Sequence, residues 1–381
     1  MYAEYEIIGV DVEMNDTQKQ LLELLSHALF NRPTEITITT DIVEEAKAQA
    51  VLSLVSDNPV KLVNNIRLTF AHAELTNVLD GVPFTTFKGY ASAYYYPEPI
   101  RRPMGDVDFI VNSSNFSETI DRLQSAGYKQ LEKEHERHIT FIKDKNIFEL
   151  HSEIKGIPNG LDGIQTQSQT AEGKVRELLS DLIPSSLIVD TQQGPIRIPD
   201  EFHHCLIMLL HIAGHIINDG GVGLRHICDW AVFVDRVDLI QYQKRLEEVG
   251  LWRFACQLTA LCVRYLNLEA REWTGKWNDS FLGVFMDDIL EAGNFGKKDP
   301  GRILSSRLER NSIWWFVENR YPITRRVSIL KPLFAVVLLI RRGLLLLSGK
   351  RKRIKLSTII GAEKRENLYR QFGLFENPEI E

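Results

Sequence analysis

Two aspartates separated by one apolar residue stand at the head of a short apolar run. Asp106 and Asp108 flank Val107, and the run continues through Val111. Because side chains alternate between the two faces of a strand, both carboxylates are expected on one face and Val107 on the other. Adjacent carboxylates repel each other, and a hard dication such as Mg²⁺ relieves that repulsion. The pair predicts a metal site, and magnesium held by carboxylates plus phosphates indicates a nucleotide substrate.

Glu149 is the best candidate for a third acidic group. It lies in the segment 146–154, which reads as a strand, and it shares a strand face with His151. A carboxylate in an otherwise packed strand is costly unless a metal ion or a proton donor compensates it. In a two-metal phosphoryl transfer, Asp106 and Asp108 would bridge two ions about 3.5–4 Å apart. Glu149 would hold the ion that activates the nucleophile and take its proton, while His151 either orients Glu149, contacts substrate or is a core histidine.

Residues before the aspartates supply positive charge. Lys88 and Gly89 end one predicted strand and open a predicted helix, where backbone amides can meet phosphate oxygens. Gly89 lets the backbone approach closely. Lys88 and Arg102 provide charge for a triphosphate and for leaving pyrophosphate, and Arg102 can bind it in a forked manner. These three residues are therefore predicted to bind nucleotide.

The segments around these residues alternate between strand and helix. The strand-like and helix-like segments follow in the order strand 82–87, helix 90–96, strand 106–111, helix 115–126 and strands 138–142 and 146–154. The polar turn 143–146 makes the last two strands a hairpin.

Helical periodicity dominates on both sides of this region. Residues 16–31 and 43–79 are helix-like, and residues 156–169 lose all periodicity. Segments with helical spacing of apolar residues follow at 172–182, 201–218, 224–234, 239–249, 252–266 and 281–292. The predicted fold class is α+β, with a mixed β-sheet core, N-terminal helices and a C-terminal helical domain. The predicted division is an N-terminal helical segment packing on the core (1–79), a catalytic core (80–155), a linker or mobile loop (156–170) and the helical domain (171–381).

A second group of polar residues lies in that helical domain. His211 and His215 are four residues apart and share a helix face, and Arg225 lies in the next helix. Two histidines at this spacing could bind zinc, but no glutamate completes a zinc-protease motif and no cysteine pair is near. A structural or substrate-facing network is therefore favoured, whereas His203 and His204 are interpreted as peripheral.

The net charge and the two ends of the chain bear on where the protein is located in the cell. The net charge of −6 argues against a protein whose main role is to bind nucleic acid. The first six residues lack the features of a signal peptide, so a cytoplasmic location is expected. Residues 332–355 carry an apolar run that Arg341 and Arg342 interrupt and the cluster 350–355 follows. Neither half reaches the roughly 20 apolar residues of a membrane span. A buried helix is favoured, and an interfacial helix in peripheral membrane contact is the alternative.

Taken together, these motifs resemble a known family. Phe-Lys-Gly, Tyr-Tyr-Tyr-Pro, Arg-Pro-Met-Gly-Asp-Val-Asp-Phe-Ile-Val, Ala-Gly-Tyr and Phe-Glu-Leu-His follow one another between residues 80 and 155. The chain resembles the largely uncharacterised bacterial nucleotidyltransferase family within the DNA polymerase beta-like superfamily. By position, Asp106, Asp108 and Glu149 match the catalytic acidic triad, and Lys88-Gly89 matches the glycine-containing first motif. Superfamily members usually have Gly-Ser or Gly-Gly where this chain has Gly89-Tyr90, and their third acid is more often Asp.

The leading hypothesis is a cytoplasmic, metal-dependent nucleotidyltransferase. It moves a nucleoside monophosphate from an NTP to an acceptor with Mg²⁺ or Mn²⁺ and releases pyrophosphate. The acceptor stays open between a small molecule, a glycan precursor, a protein and an RNA, and oligomeric state is not predicted. A toxin-like enzyme that modifies tRNA is the enzymatic alternative, and a non-catalytic nucleotide-binding scaffold is the alternative of a different class.

Overall fold

The computed structural model of the chain describes residues 14–131, 138–160, 169–218, 221–298, 330, 332–337, 340 and 368–376. Its elements confirm the predicted α+β class, with a mixed sheet and helices on both sides of it along the chain. Of the segment 332–355, for which a buried helix is favoured and an interfacial helix is the alternative, only 332–337 and 340 belong to the described residues, and the basic cluster lies outside them. Within the described residues, no helix is both long and apolar enough to cross a bilayer.

Four helices precede the sheet: α1 (Asp16–Leu29), α2 (Thr40–Ala48), α3 (Leu52–Val55) and α4 (Pro59–Val78). The stretch 43–79, which was read as helical throughout, therefore contains two breaks. Ala50 adopts a left-handed backbone conformation after α2, with φ +56°. The second break lies before Pro59, which begins α4 because proline suits the first turn of a helix but no later one.

The central sheet has five strands in the order β1-β2-β5-β4-β3. They are β1 (Phe84–Phe87), β2 (Val107–Val111), β3 (Lys129–Gln130), β4 (His138–Lys143) and β5 (Asn146–His151). β1 runs antiparallel to β2, β2 runs parallel to β5, and β4 and β5 form the predicted hairpin. Asp144 and Lys145 take the positive φ values that suit a tight hairpin turn. Helix α5 (Gly89–Ala93) follows β1, and α6 (Phe116–Ser125) follows β2.

The remaining described elements are mostly helical: α7 (Gln169–Leu178), β6 (Leu187–Thr191), β7 (Gly194–Ile198), α8 (Glu201–Asn218), α9 (Leu224–Arg236), α10 (Gln243–Glu248), α11 (Trp252–Leu266) and α12 (Asp279–Ala292). The hairpin β6–β7 was not predicted, and it packs against α4 and β1. Leu187 and Ile188 follow one another on its first strand and are both exposed, so this strand lacks the alternation expected of a half-buried strand.

Two hydrophobic cores lie side by side. The smaller contains one face of the sheet, α4 and β7, and the larger joins helices from both halves of the chain, including α1, α8, α9 and α11. Phe87, Tyr95 and Tyr96, from the segment around α5, are buried in the larger core. The junction between β1 and α5 is therefore held by both cores at once.

Candidate active site

The three predicted acidic residues converge at the centre of the sheet. Asp108 is the direct neighbour of Glu149 across the parallel pair β2–β5, and Asp106 immediately precedes β2. One ligand oxygen from each carboxylate lies within 4.8 Å of the others. The structure thus brings together residues that are up to 43 positions apart in the chain.

The charges within this acidic cluster are incompletely balanced. The negative charge of Asp108 and then burial raise the pKa of Asp106 to about 6. Burial also opposes ionisation of Asp108, but Lys88 and His151 outweigh it and hold the pKa of Asp108 well below its usual value. A second carboxylate beside an ionised one resists its own ionisation unless a cation arrives. Three carboxylate ligands and this excess of negative charge fit a hard dication.

Two histidines flank the cluster on the side of β4 and β5. His151 Nε2 lies 2.8 Å from Asp108 Oδ1 and 3.3 Å from Glu149 Oε2, and His138 Nε2 lies 3.5 Å from Glu149 Oε1. Burial opposes the charged forms, but this pairing lowers the pKa of Glu149 and raises the pKa of His151. His138 was missed, although its position opposite His151 follows from extending the predicted hairpin register.

Lys88 lies at the end of β1 with its ammonium group on the acidic cluster. Its Nζ is 2.9 Å from Asp108 Oδ1, and its backbone is left-handed with φ +58°. Burial disfavours the ammonium form, but the Asp108 carboxylate outweighs burial and raises the pKa of Lys88. The structure therefore places this predicted phosphate ligand beside the predicted metal ligands.

Gly89 packs against a histidine that sequence reasoning missed. His72 of α4 is fully buried, and its Nε2 accepts the backbone N–H of Tyr90 at 3.3 Å. Burial lowers the pKa of His72 to about 3, so the ring is neutral and able to accept. A Cβ atom on Gly89 would lie 2.6 Å from that Nε2, and Gly89 itself has φ +31°. Glycine is thus needed here for both space and backbone conformation.

Gly89→Ala is expected to lower the free energy of unfolding by about 1–3 kcal/mol, because the buried His72 ring cannot yield to the new methyl group without repacking. Urea denaturation measures the loss. Gly173→Ala on α7 is the matched control, since its Cβ would meet nothing within 4 Å, and it should gain up to about 1 kcal/mol. Wild-type stability of Gly89→Ala would contradict the close packing of His72.

Arg102 is committed to a partner inside the protein. Its Nε and Nη2 donate to the two carboxylate oxygens of Asp229 at 2.9 and 2.7 Å, and its Nη1 donates to the carbonyl of Gly89 at 2.9 Å. The Tyr96 hydroxyl also donates to Asp229, at 2.8 Å. The forked binding predicted for a triphosphate is used here for a protein carboxylate, so Arg102 fixes the position of Gly89.

A cleft separates the acidic cluster from helices α8 and α9. Its lining residues are Lys88, Gly89, Ser92, Arg102, Gly105, Asp106, Asp108, His204, Ile207, Met208, His211, Ile212, Arg225, His226 and Asp229. His204 was interpreted as peripheral and is instead part of this lining. Glu149 and His151 are not among the lining residues, although Asp108, their neighbour in the sheet, is.

The predicted histidine pair of α8 gains a third member in the structure. His211 Nε2 and His215 Nε2 are 3.1 Å apart, and His226, in the first turn of α9, brings a ring nitrogen within 4.8 Å of both. Burial, then nearby charged or basic groups, holds the pKa values of His211 and His226 well below the usual value. The rings of His211 and His226 are therefore neutral at neutral pH.

Comparison with known proteins gives one match. A family model described as "Uncharacterised nucleotidyltransferase" matches residues 43–267, more than half of the 381-residue chain. The matched range includes the whole central sheet, the acidic cluster and helices α8, α9 and α11. No curated protein and no solved structure matches the chain.

Proposed function

The chain belongs to the family of uncharacterised nucleotidyltransferases, as its motifs predicted, and from this membership we propose that it transfers a nucleoside monophosphate from an NTP to an acceptor. Membership of this family supports nucleotidyl transfer as the general activity of the chain. The observation that carries the more specific proposal is the convergence of three carboxylates, from Asp106, Asp108 and Glu149, within 4.8 Å.

We propose that these three carboxylates bind Mg²⁺ or Mn²⁺. The raised pKa of Asp106 supports this assignment, because it reports negative charge that the protein itself leaves uncompensated. When bound, such an ion stabilises charge on the phosphoryl oxygens and promotes ionisation of the attacking hydroxyl.

In the proposed reaction, the acceptor oxygen forms a bond to the α-phosphorus of the NTP, and the bond from that phosphorus to the bridging oxygen breaks. Pyrophosphate leaves with the bridging oxygen. The acceptor proton passes to Glu149 Oε1, whose neighbour His138 lies 3.5 Å away. Glu149 lies outside the cleft lining and its side chain is 21% exposed, so we propose that the acceptor approaches at Glu149 and the triphosphate lies in the cleft. In-line displacement, in which attacking and leaving oxygens lie on opposite sides of phosphorus, would then require pyrophosphate to leave away from Glu149.

The cleft offers cations for the triphosphate. Burial and then the neighbouring Arg102 lower the pKa of Arg225, so its guanidinium carries charge in an environment that disfavours it. Phosphate oxygens would offset that cost and can bind a guanidinium at two points. We therefore propose Arg225 and Lys88 as the phosphate-binding side chains, with Arg102 as a positioning residue that acts through the Gly89 carbonyl.

The proposed activity is tested by incubating the full chain with each NTP, labelled either at the α- or at the γ-phosphate, with Mg²⁺ or Mn²⁺ and a cell extract. Nucleotidyl transfer moves the α-label to an acceptor and never the γ-label. Fractionation of the extract separates small molecules, glycan precursors, protein and RNA as acceptors, and label in tRNA identifies the toxin-like activity. Binding of NTP with no transfer of either label would contradict the proposal and identify a scaffold.

Metal affinity is expected to fall with pH below about 6, because Asp106, with its pKa raised to about 6, becomes protonated and loses its ligand oxygen. The apparent affinity for Mn²⁺ should be about tenfold weaker at pH 5 than at pH 7, since one proton competes with the metal. Calorimetric titration of Mn²⁺ at the two pH values measures this difference.

Asp287 on α12 provides a matched control for this titration. Burial and the neighbouring acids Glu291 and Asp288 raise its pKa to about 6 as well, but it does not line the cleft. Asp287→Asn should therefore retain the tenfold pH effect. Equal Mn²⁺ affinity of the wild-type chain at pH 5 and pH 7 would contradict the participation of Asp106.

A further inference from the structure

Three histidines meet where α8 and α9 adjoin the cleft, and two of them, His211 and His226, line it. We propose that His211, His215 and His226 bind a transition-metal dication of the Zn²⁺ class. This site is distinct from the carboxylate cluster, and the proposal does not depend on the activity proposed above.

The geometry of the rings is close to that of a bound metal. Zn²⁺ at about 2.0–2.1 Å from its nitrogen ligands places two of them about 3.3 Å apart in a tetrahedron. His211 Nε2 and His215 Nε2 are already 3.1 Å apart. The ring centroids form a compact triangle with sides of 4.2, 5.2 and 5.4 Å. The ring nitrogen of His226 lies within 4.8 Å of the other two and must move closer to reach the same spacing.

The chemistry of the three side chains suits the same ion. A metal binds the lone pair of a neutral imidazole, and burial keeps the rings of His211 and His226 neutral. Three nitrogen ligands also leave the fourth position of a tetrahedral Zn²⁺ ion open for water or substrate.

Ligand type separates this site from the acidic one. Imidazole favours Zn²⁺ and its neighbours in the transition series, whereas carboxylates and phosphates favour Mg²⁺ and Mn²⁺. Four cations act on the histidines and oppose a further positive charge: Lys88 and Lys155 on His211, and Arg225 and Arg102 on His226. The charge of Lys88 is compensated by Asp108 at 2.9 Å, and Asp106 and Asp229 act on Arg225. Asp229 also pairs with Arg102, at 2.7 Å, so neighbouring acids offset part of the positive charge that opposes a dication at the histidines.

The proposal is tested by stripping the full-length chain with a chelator and titrating it with Co²⁺, whose visible absorption reports nitrogen ligands in a tetrahedral site. We expect one Co²⁺ per chain, displaced by Zn²⁺, with the absorption band retained in the Asp106→Asn/Asp108→Asn double variant. His215→Asn should weaken Co²⁺ binding at least about 100-fold, because loss of a ligand exceeds the 10–100-fold cost of losing a supporting contact.

His138→Asn is the matched control, since His138, Glu149 and His151 form another group that could hold a metal. That variant should bind Co²⁺ as the wild type does. Absence of Co²⁺ binding, binding unchanged in His215→Asn, or binding lost in His138→Asn would each overturn the assignment. Circular dichroism establishes whether His215→Asn is folded. If it is not, His211→Asn takes its place, because the partly exposed His211 tolerates polar replacement better.

Discussion

Asp108→Asn is expected to lower kcat for nucleotidyl transfer at least about 1,000-fold, which corresponds to about 4 kcal/mol of lost transition-state stabilisation. The carboxylate of Asp108 is the centre of the acidic cluster. It contacts Lys88 at 2.9 Å and His151 at 2.8 Å, and it is the neighbour of Glu149 in the sheet. Replacing it with an amide removes a metal ligand and the charge that holds Lys88. Transfer of α-label from NTP to the acceptor fraction measures the effect.

Asp121→Asn is the control for this variant, because Asp121 is an exposed acid on α6 outside the cleft lining. It should transfer label at the wild-type rate. Circular dichroism of both variants separates loss of catalysis from loss of structure. A folded Asp108→Asn protein with wild-type transfer would refute the assignment of the acidic cluster as the catalytic site.

Arg102→Met is expected to lower the free energy of unfolding by about 3–5 kcal/mol. Arg102 and Asp229 are 4% and 6% exposed, so the variant would leave the Asp229 carboxylate buried without its main counter-charge. Urea denaturation measures this loss. Transfer should fall as well, because the Gly89 carbonyl loses the donor that fixes it.

Lys47→Met on α2 is the matched control for Arg102→Met. Lys47 and Glu44 form an ion pair at 2.6 Å with both side chains at least half exposed, so its loss should cost less than about 1 kcal/mol. The double variant Arg102→Met/Asp229→Leu should be more stable than Arg102→Met alone, because no charge stays buried. Equal stability of Arg102→Met and Lys47→Met would contradict the importance of the buried pair.

Local patterns predicted much of the fold. The β4–β5 hairpin and α11 follow from alternation, turn residues and helical spacing, and the structure has them close to the predicted bounds. The hairpin β6–β7 was missed because Leu187 and Ile188 are exposed on one of its strands, so apolar residues there do not mark a buried face. The break after α2 was missed because nothing in residue type announces the positive φ of Ala50, whereas Pro59 does mark the second break in the sequence.

The acidic cluster was predictable because its members lie on adjacent strands, where register follows from short-range patterns. The contact of Arg102 with Asp229 spans 127 positions, and no local pattern reports such a pairing. His72 was missed for the same reason, since its role depends on how α4 lies against Gly89. The third histidine of the α8 group was visible in the sequence, but the crossing of α8 and α9 decides its distance from the other two.

The residues around α5 also bear on how substrate enters. Tyr95 and Tyr96 are anchored in the larger core, and Arg102 and Asp229 join the walls of the cleft across it. A hinged separation of the two walls would expose aromatic rings and a buried ion pair to water. Its free-energy cost would therefore be high. We therefore expect the nucleotide to enter a cleft that is already shaped, with adjustments confined to side chains. Such a preorganised site would show little difference between its free and bound backbone.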